Sequence, residues 1–385
     1  MTFSFPGVSI VGIGQVPVQK RSPLSVRALG VAAMRAALRD AGVDSVDAVF
    51  AGNMLADELQ GQKHIAALLA SAAGLRGVEA LQVRAAPATG AAALRMAYLA
   101  VASGSARRAL AVGVEKMSDG EATPALAKAL DAEREVPAGA TLLSQNARLM
   151  RLYLERYGLT PDHFNHFAWH AHRNARTNPN ALFRDKDVSL ADIQQARVVA
   201  APLRLYDAAP ICDGAAAVVL APSSEARAYT PQPVPVLSSS VATDWFCVDD
   251  RPDPLALFAV QRSAQEAFRT ANVHRTDIDV FELHDAFSIM TCLALETLGF
   301  AEPGQGWRLA AEGQIALDGP LPVATLGGLK ARGHPIGASA LYQTCEIVQQ
   351  LTGRAGPNQV PNARRGLLLS VGGVASTVIT HIFGG

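Results

Sequence analysis

Two histidines sit in surroundings that limit their freedom. His334 lies between Gly333 and Pro335 in the stretch Gly327-Gly328-Leu329-Lys330-Ala331-Arg332-Gly333-His334-Pro335-Ile336-Gly337-Ala338. A ring bracketed in this way has little backbone freedom and can be aimed. A lone histidine is more often structural than catalytic, and here the long glycine-rich context reverses that. His284 opens His284-Asp285-Ala286-Phe287-Ser288 at the end of an apolar run. Two imidazole donors converging on one oxygen are a usual means of stabilising an enolate. The plainer alternative is that His284 caps a strand end and Asp285 fixes a turn. The third position is Pro87, in Val83-Arg84-Ala85-Ala86-Pro87-Ala88-Thr89-Gly90-Ala91-Ala92-Ala93-Leu94. A strand reads before it and a small-residue helix after it, and α/β folds keep nucleophiles at such turns. Proline supplies neither a nucleophile nor a backbone N–H.

The elements that must position these residues repeat along the chain. Val46-Asp47-Ala48-Val49-Phe50-Ala51-Gly52 and Ile278-Asp279-Val280-Phe281-Glu282-Leu283-His284-Asp285 share a pattern, each after an alanine-rich amphipathic helix (Val26 to Ala41; Ala259 to Asn272). Ala80 to Val101 reads as strand, turn and buried helix. Leu321 to Leu351 reads as strand, Gly327-Gly328, then a helix opened by Gly337-Ala338-Ser339-Ala340. Arg108–Val114 and Arg365–Val371 form the last matched pair. Three matches in one order favour a duplication over chance likeness among alanine-rich segments. Apolar strands alternating with helices indicate an α/β fold, with sheets sandwiched by helices and equivalent turns meeting at a shared site. Residues 118–200 interrupt the repeat as a polar insertion over the site. Residues 1–117 with 201–225 form one half and 237–385 the other, joined through a Pro- and Ser-rich linker, Ser223 to Val236.

Composition limits the function classes. The chain has 385 residues, 49% hydrophobic and 18% charged, the balance of a globular enzyme. Its formal net charge of zero offers no electrostatic case for nucleic acid or an anionic membrane. No apolar run reaches spanning length, and the first six residues lack a leader-like pattern. Cys212, Cys247, Cys292 and Cys345 are scattered, fitting neither a disulfide framework nor a metal site. A reduced, cytoplasmic setting is the simplest expectation.

The motif around His334, with His284-Asp285-Ala286-Phe287, Gly113-Val114-Glu115-Lys116-Met117-Ser118, Asn146-Ala147-Arg148-Leu149-Met150, Arg204-Leu205-Tyr206-Asp207 and Cys212-Asp213-Gly214-Ala215-Ala216-Ala217, resembles the thiolase family over nearly the whole length. The His-Asp version is similar to the branch containing sterol-carrier-protein-type and archaeal thiolases. The resemblance implies duplicated halves in a layered α-β-α-β-α sandwich with an inserted loop domain, and an acyl-CoA thioester as ligand. It implies that His334, with His284 beside it, polarises the thioester oxygen. Cys212 falls in a segment the family uses for folding and reads as a buried small hydrophobe. The resemblance also implies a homodimer and, in this branch, a small OB-fold, zinc-ribbon partner protein. No metal and no covalently bound cofactor are expected. Arg148, Arg151, His172 and Arg173 are candidates for the CoA phosphates, although surface arginines are usually only solvated.

The departures gather at the chemistry. In the family the Pro87 position is the cysteine that takes up the acyl group and whose N–H helps bind the oxyanion, so the covalent route is closed. Ser370, in Ser370-Val371-Gly372-Gly373, stands where a cysteine acts as acid and base, and an unactivated hydroxyl is too weak an acid for that. Gly372 retains the flexible backbone expected of an oxyanion site, with Asp285 supporting the His284 turn. Arg84 replaces an acidic residue and suggests a different salt bridge. Thr89 has no base assigned to it. Cys345 and Cys292 lie roughly three and two helical turns beyond the histidines, about 16 Å for the former. The expected function is therefore enolate-stabilising C–C bond chemistry on acyl-CoA without an acyl-cysteine, of aldol or retro-aldol type. The tyrosines of thiolase-like aldolases are absent from the two His motifs. The alternatives are an acetyl-CoA acetyltransferase with an unusual site, or a non-catalytic acyl-CoA-binding or scaffolding subunit.

Overall fold

The computed structural model describes residues 7–385; the first six residues, read above for leader signals, lie outside the described residues. The first half runs β1 (Val8–Gln15), α1 (Val26–Asp40), β2 (Ala48–Gly52), α2 (Ala56–Leu59), α3 (Ile65–Ala73), β3 (Glu79–Val83), α4 (Thr89–Ala102) and β4 (Ala109–Lys116). Next come α5 (Ala122–Ala127), α6 (Leu142–Tyr157), α7 (Asn165–Ala175), α8 (Leu190–Gln194) and the hairpin β5 (Val198–Ala200)–β6 (Leu203–Arg204). Strand β7 (Asp213–Pro222) returns to the first half. The second half runs β8 (Val234–Thr243), α9 (Phe258–Ala271), β9 (Val280–Leu283), α10 (Ser288–Thr297), α11 (Gly306–Ala311), α12 (Ser339–Leu351), β10 (Arg365–Gly372) and β11 (Thr377–Gly384).

The strand order shows the duplication directly. One half pairs as β3-β2-β4-β7-β1, the other as β9-β10-β11-β8, and β1 meets β8 at Ser9–Pro235 and Ile10–Val234 to give one nine-stranded sheet. The parallel pairs β2–β4 and β9–β10 correspond, and the strands that close each half, β7 and β11, run antiparallel to β4 and β10. The strand expected from Leu321 shrinks to a single parallel bridge, Val323 to Phe281. Pro322 brings no N–H to a ladder, and Ala324 turns away at φ 50°. The expected linker is also shorter, because Val234–Val236 already belong to β8.

Helices α4 and α12 pack on each other and on both half-sheets, with α1 and α3 outside one and α9 outside the other. Five layers result. Small residues make the middle layer possible, since Ala91, Ala93, Ala97 and Ala340 are buried against neighbours with little side chain between. The closest approach is made by the backbone at Gly337 and Ala338. A Cβ added to Gly113 of β4 would stand 2.6 Å from both the Gly337 oxygen and the Ala338 Cα. Gly90 has the Gly337 oxygen 2.9 Å from the place a Cβ would take. No helix among the described residues is long and apolar enough to cross a membrane.

Gly113→Ala therefore forces backbone apart between the two halves. A loss of about 1–3 kcal/mol is expected in denaturant unfolding. Gly42→Ala, where nothing lies within 4 Å of the added carbon but φ is +63°, serves as the strain-only comparison.

Candidate active site

Three segments converge on a cavity of about 320 Å³ between the halves, beneath the inserted segment. Its wall includes Pro87, His284 and His334, with Leu142, Leu143, Phe287, Met290 and Val371 supplying apolar surface. The turn before α4 holds Pro87 in place. Ala86 takes φ 48°, a left-handed conformation that strains a non-glycine residue. The Thr89 hydroxyl accepts from Ala85 N at 2.9 Å and donates to Ala86 O at 2.6 Å. Thr89 is thus committed to the turn and does not line the cavity. The turn thus sets Pro87, which carries neither a nucleophile nor a backbone N–H, on the cavity wall.

The two histidines meet edge to face, their ring centroids 5.2 Å apart and their planes at 83°. Burial alone pushes His284 down to about 3. His334 is held well below its ordinary value by burial, then by His284 and by Arg332. Both rings are neutral near pH 7, so each has one N–H to place. Nδ1 of His284 is buried without a partner, so we assign its proton to Nε2, because an orphaned N–H is rarer than an idle acceptor. Nδ1 of His334 lies 2.7 Å from the Ser339 hydroxyl, whose other contact, to Pro335 O, is 3.2 Å. Pro335 O already accepts from Ala338 N at 2.7 Å, so we assign the Ser339 proton to Nδ1, which leaves Nε2–H for the cavity. Neutral imidazoles can polarise a carbonyl in this way.

The glycine-rich loop is pinned from several sides. Asp285 accepts from Leu329 N at 2.7 Å and Lys330 N at 3.4 Å, closing the π-helical turn Gly328–Arg332. Burial raises the Asp285 carboxyl, and Lys330 and the two N–H groups oppose that rise. The Arg332 side chain is buried, with Nε 2.9 Å from Glu346 Oε1 and the guanidinium over the Tyr342 ring. That contact is a close ion pair rather than an aligned hydrogen bond. Burial raises Glu346 to about 7 despite Arg332, and it raises Glu282 further, with Glu346 adding to the rise. Cys212 is more than a small hydrophobe, since its sulfur receives the His334 N–H at 3.1 Å. None of the four cysteines lines the cavity.

The remaining expected positions fall behind the wall. Asp285 supports the loop without lining the cavity. Ser370 is buried on β10 opposite Ile379, and the wall there is formed by Val371 and Gly373. Gly372 is required for close approach rather than flexibility, because a Cβ would stand 2.5 Å from Ala85 O, and the left-handed residue is Gly373 at φ 61°. Arg84 pairs with Asp57 at 3.0 Å. Of the phosphate candidates, only His172 lines the cavity, and burial followed by Lys186 and Lys330 lowers it to about 4, so it is no cation. Arg148 pairs with Asp249, Arg151 donates to Ala201 O, and Arg173 lies over Trp169.

Lys330, Lys186 and Tyr206 also line the cavity and were not in the expected site. Lys330 was visible as the one lysine within the glycine-rich motif. Tyr206 was visible within the Arg204-Leu205-Tyr206-Asp207 motif, whereas Lys186 carried no local signal, because only the folded insertion brings it to the rim. Lys186 Nζ donates to Tyr206 Oη at 2.9 Å and lies over the Phe183 ring. Among the described residues no cluster of three His, Cys, Asp or Glu side chains could hold a metal ion.

Similarity to known proteins follows the same two halves. The thiolase N-terminal domain family matches residues 8–224, and the thiolase C-terminal domain-like family matches residues 240–385. An acetyl-CoA acetyltransferase of Methanothermobacter thermautotrophicus is 41% identical over 379 residues, covering 98% of this chain and 99% of that protein. Sterol carrier protein 2 of Gallus gallus is 31% identical over 392 residues, covering 97% of this chain and 71% of that one. A solved structure described as an Ltp2-ChsH2(DUF35) aldolase superposes with a TM-score of 0.86 at 23% identity over 99% of both chains, a likeness of fold.

Histidine NMR tests the protonation assignment. The ring resonances of His284 and His334 should stay flat between about pH 5 and pH 8. A midpoint near the ordinary histidine value of 6.5 in either ring would contradict it.

Proposed function

Because the chain belongs to the thiolase family, we propose that it acts on acyl-CoA thioesters by stabilising an enolate without forming an acyl-cysteine, in aldol or retro-aldol chemistry. One observation carries this reading. The cavity that holds two neutral histidines is faced, at the nucleophile turn, by Pro87. The thioester oxygen lies between the Nε2–H groups of His284 and His334. As the Cα–Cβ bond of a β-hydroxyacyl-CoA breaks, the β-hydroxyl loses its proton and an aldehyde or ketone departs. The electron pair is held as the enolate under the two donors, and Cα then takes up a proton. Nothing in this sequence needs an acyl acceptor on the protein.

Simple thiolysis is favoured by the 41% and 36% identities to two acetyl-CoA acetyltransferases. It meets an obstacle in the cavity, whose lining contains no cysteine. We also propose a homodimer, supported by the open edge of β3, where Leu81 is 50% exposed, and by Met96 of α4 at 38%. A small partner like the DUF35 component named in the aldolase structure fits the same reading.

The assays separate these outcomes. Wild-type protein should cleave a β-hydroxyacyl-CoA to acyl-CoA and a carbonyl product, and should not thiolyse acetoacetyl-CoA. Pro87→Cys should introduce thiolysis, while His334→Ala should lower cleavage by about 10²–10³-fold. Thiolysis by the unaltered chain would sink the reading.

A further inference from the structure

The two histidines account for the oxygen but leave the proton without a carrier. As neutral donors with strongly lowered basicity, His284 and His334 are poor acceptors of a substrate proton. His172 is likewise a weak base. Ser370 is behind the wall, and Lys186 stands exposed at the rim against Tyr206. Of the two amines that line the cavity, Lys330 is the buried one.

Lys330 sits on the π-helical turn four residues before His334, so the clamp that aims the histidine also places the lysine. It is almost fully buried yet lines the cavity. Its Nζ makes one hydrogen bond among the described residues, donating to the Asp207 carbonyl oxygen at 2.6 Å, and forms no ion pair there. The charged and titratable groups around it are Asp285 from the turn after β9, Asp207 from the segment after β6, and His172 from α7. A buried ammonium without an ion-pair partner is costly, and losing its proton relieves that cost.

We propose that the Lys330 amine is the proton carrier of this site, moving a proton between solvent or the β-oxygen and Cα of the acyl-CoA. The inference rests on the enolate reading above. In cleavage the neutral amine takes the β-hydroxyl proton as the Cα–Cβ bond breaks and its electron pair passes to the thioester enolate. The resulting ammonium returns that proton to Cα. No oxidant, reductant or further reactant is consumed. Burial lowers Lys330 to about 8, with Asp285 and then Asp207 opposing the shift, so the amine form is accessible near neutrality.

Exchange of the Cα hydrogens of propionyl-CoA in D₂O, followed by NMR, tests this without a known aldol substrate. Because the neutral amine is the active form, wild-type exchange should rise with pH and level off above about 8. Lys330→Met should lower exchange by at least about 100-fold. Lys330→Arg keeps a charge and a donor for the Asp207 carbonyl but does not deprotonate, so it should lose both the rate and the pH limb. Arg also carries the test if the Met variant fails to fold. A folded variant that keeps wild-type exchange and its pH limb overturns the inference and leaves the enolate reading standing. Absence of exchange in the wild type overturns both. Lys330-dependent exchange without cleavage of any β-hydroxyacyl-CoA upholds the proton carrier and removes the aldol step.

Discussion

The site depends on a backbone-to-backbone contact. The second half pushes the Gly337–Ala338 segment into the first, and only residues without a side chain can receive it at Gly90 and Gly113. Glu115 secures the same place. Fully buried and raised to about 8, it accepts hydrogen bonds from Met54 N and the Asn53 amide beside Gly337. Dense backbone packing of this kind has little room to adjust, so the segment that docks also sets the direction of His334. Pro87 and His334 share a cavity because the two halves meet at this contact.

Around it, buried polar groups act as positioning devices. Asp285 closes the turn, Arg332 reaches back to Glu346, and Cys212 holds the His334 N–H. Such groups are expensive to bury, and what they provide is a defined loop geometry rather than net stability. The cost is lessened where burial shifts a carboxyl toward its neutral form, as at Glu282 and Glu346. The same low-dielectric surroundings keep both histidines uncharged. Loop geometry and imidazole chemistry therefore have one physical origin.

The strained Ala86 holds Pro87 in a tight turn on the cavity wall. Thr89 stabilises the turn, while its tip offers no reactive atom and no N–H. Opposite it stand His284 and His334, both lining the same cavity.

By itself the sequence determined the family, the duplication and the separate His and Pro positions, because these rest on local patterning: apolar periodicity, glycine spacing and the absence of an N–H at proline. Helices α1, α4, α9 and α12 lie within a residue or two of where that patterning put them. Local patterning misled where one residue outweighed it, as Pro322 and Ala324 did in reducing an expected strand to one bridge. Tertiary structure alone decided which residues share a wall. It moved Ser370, Gly372 and Asp285 behind the cavity and brought Lys330, Lys186 and Tyr206 onto it. Cavity membership depends on how segments more than a hundred residues apart pack, and protonation depends on the burial that packing creates. Neither quantity is carried by residue type and spacing.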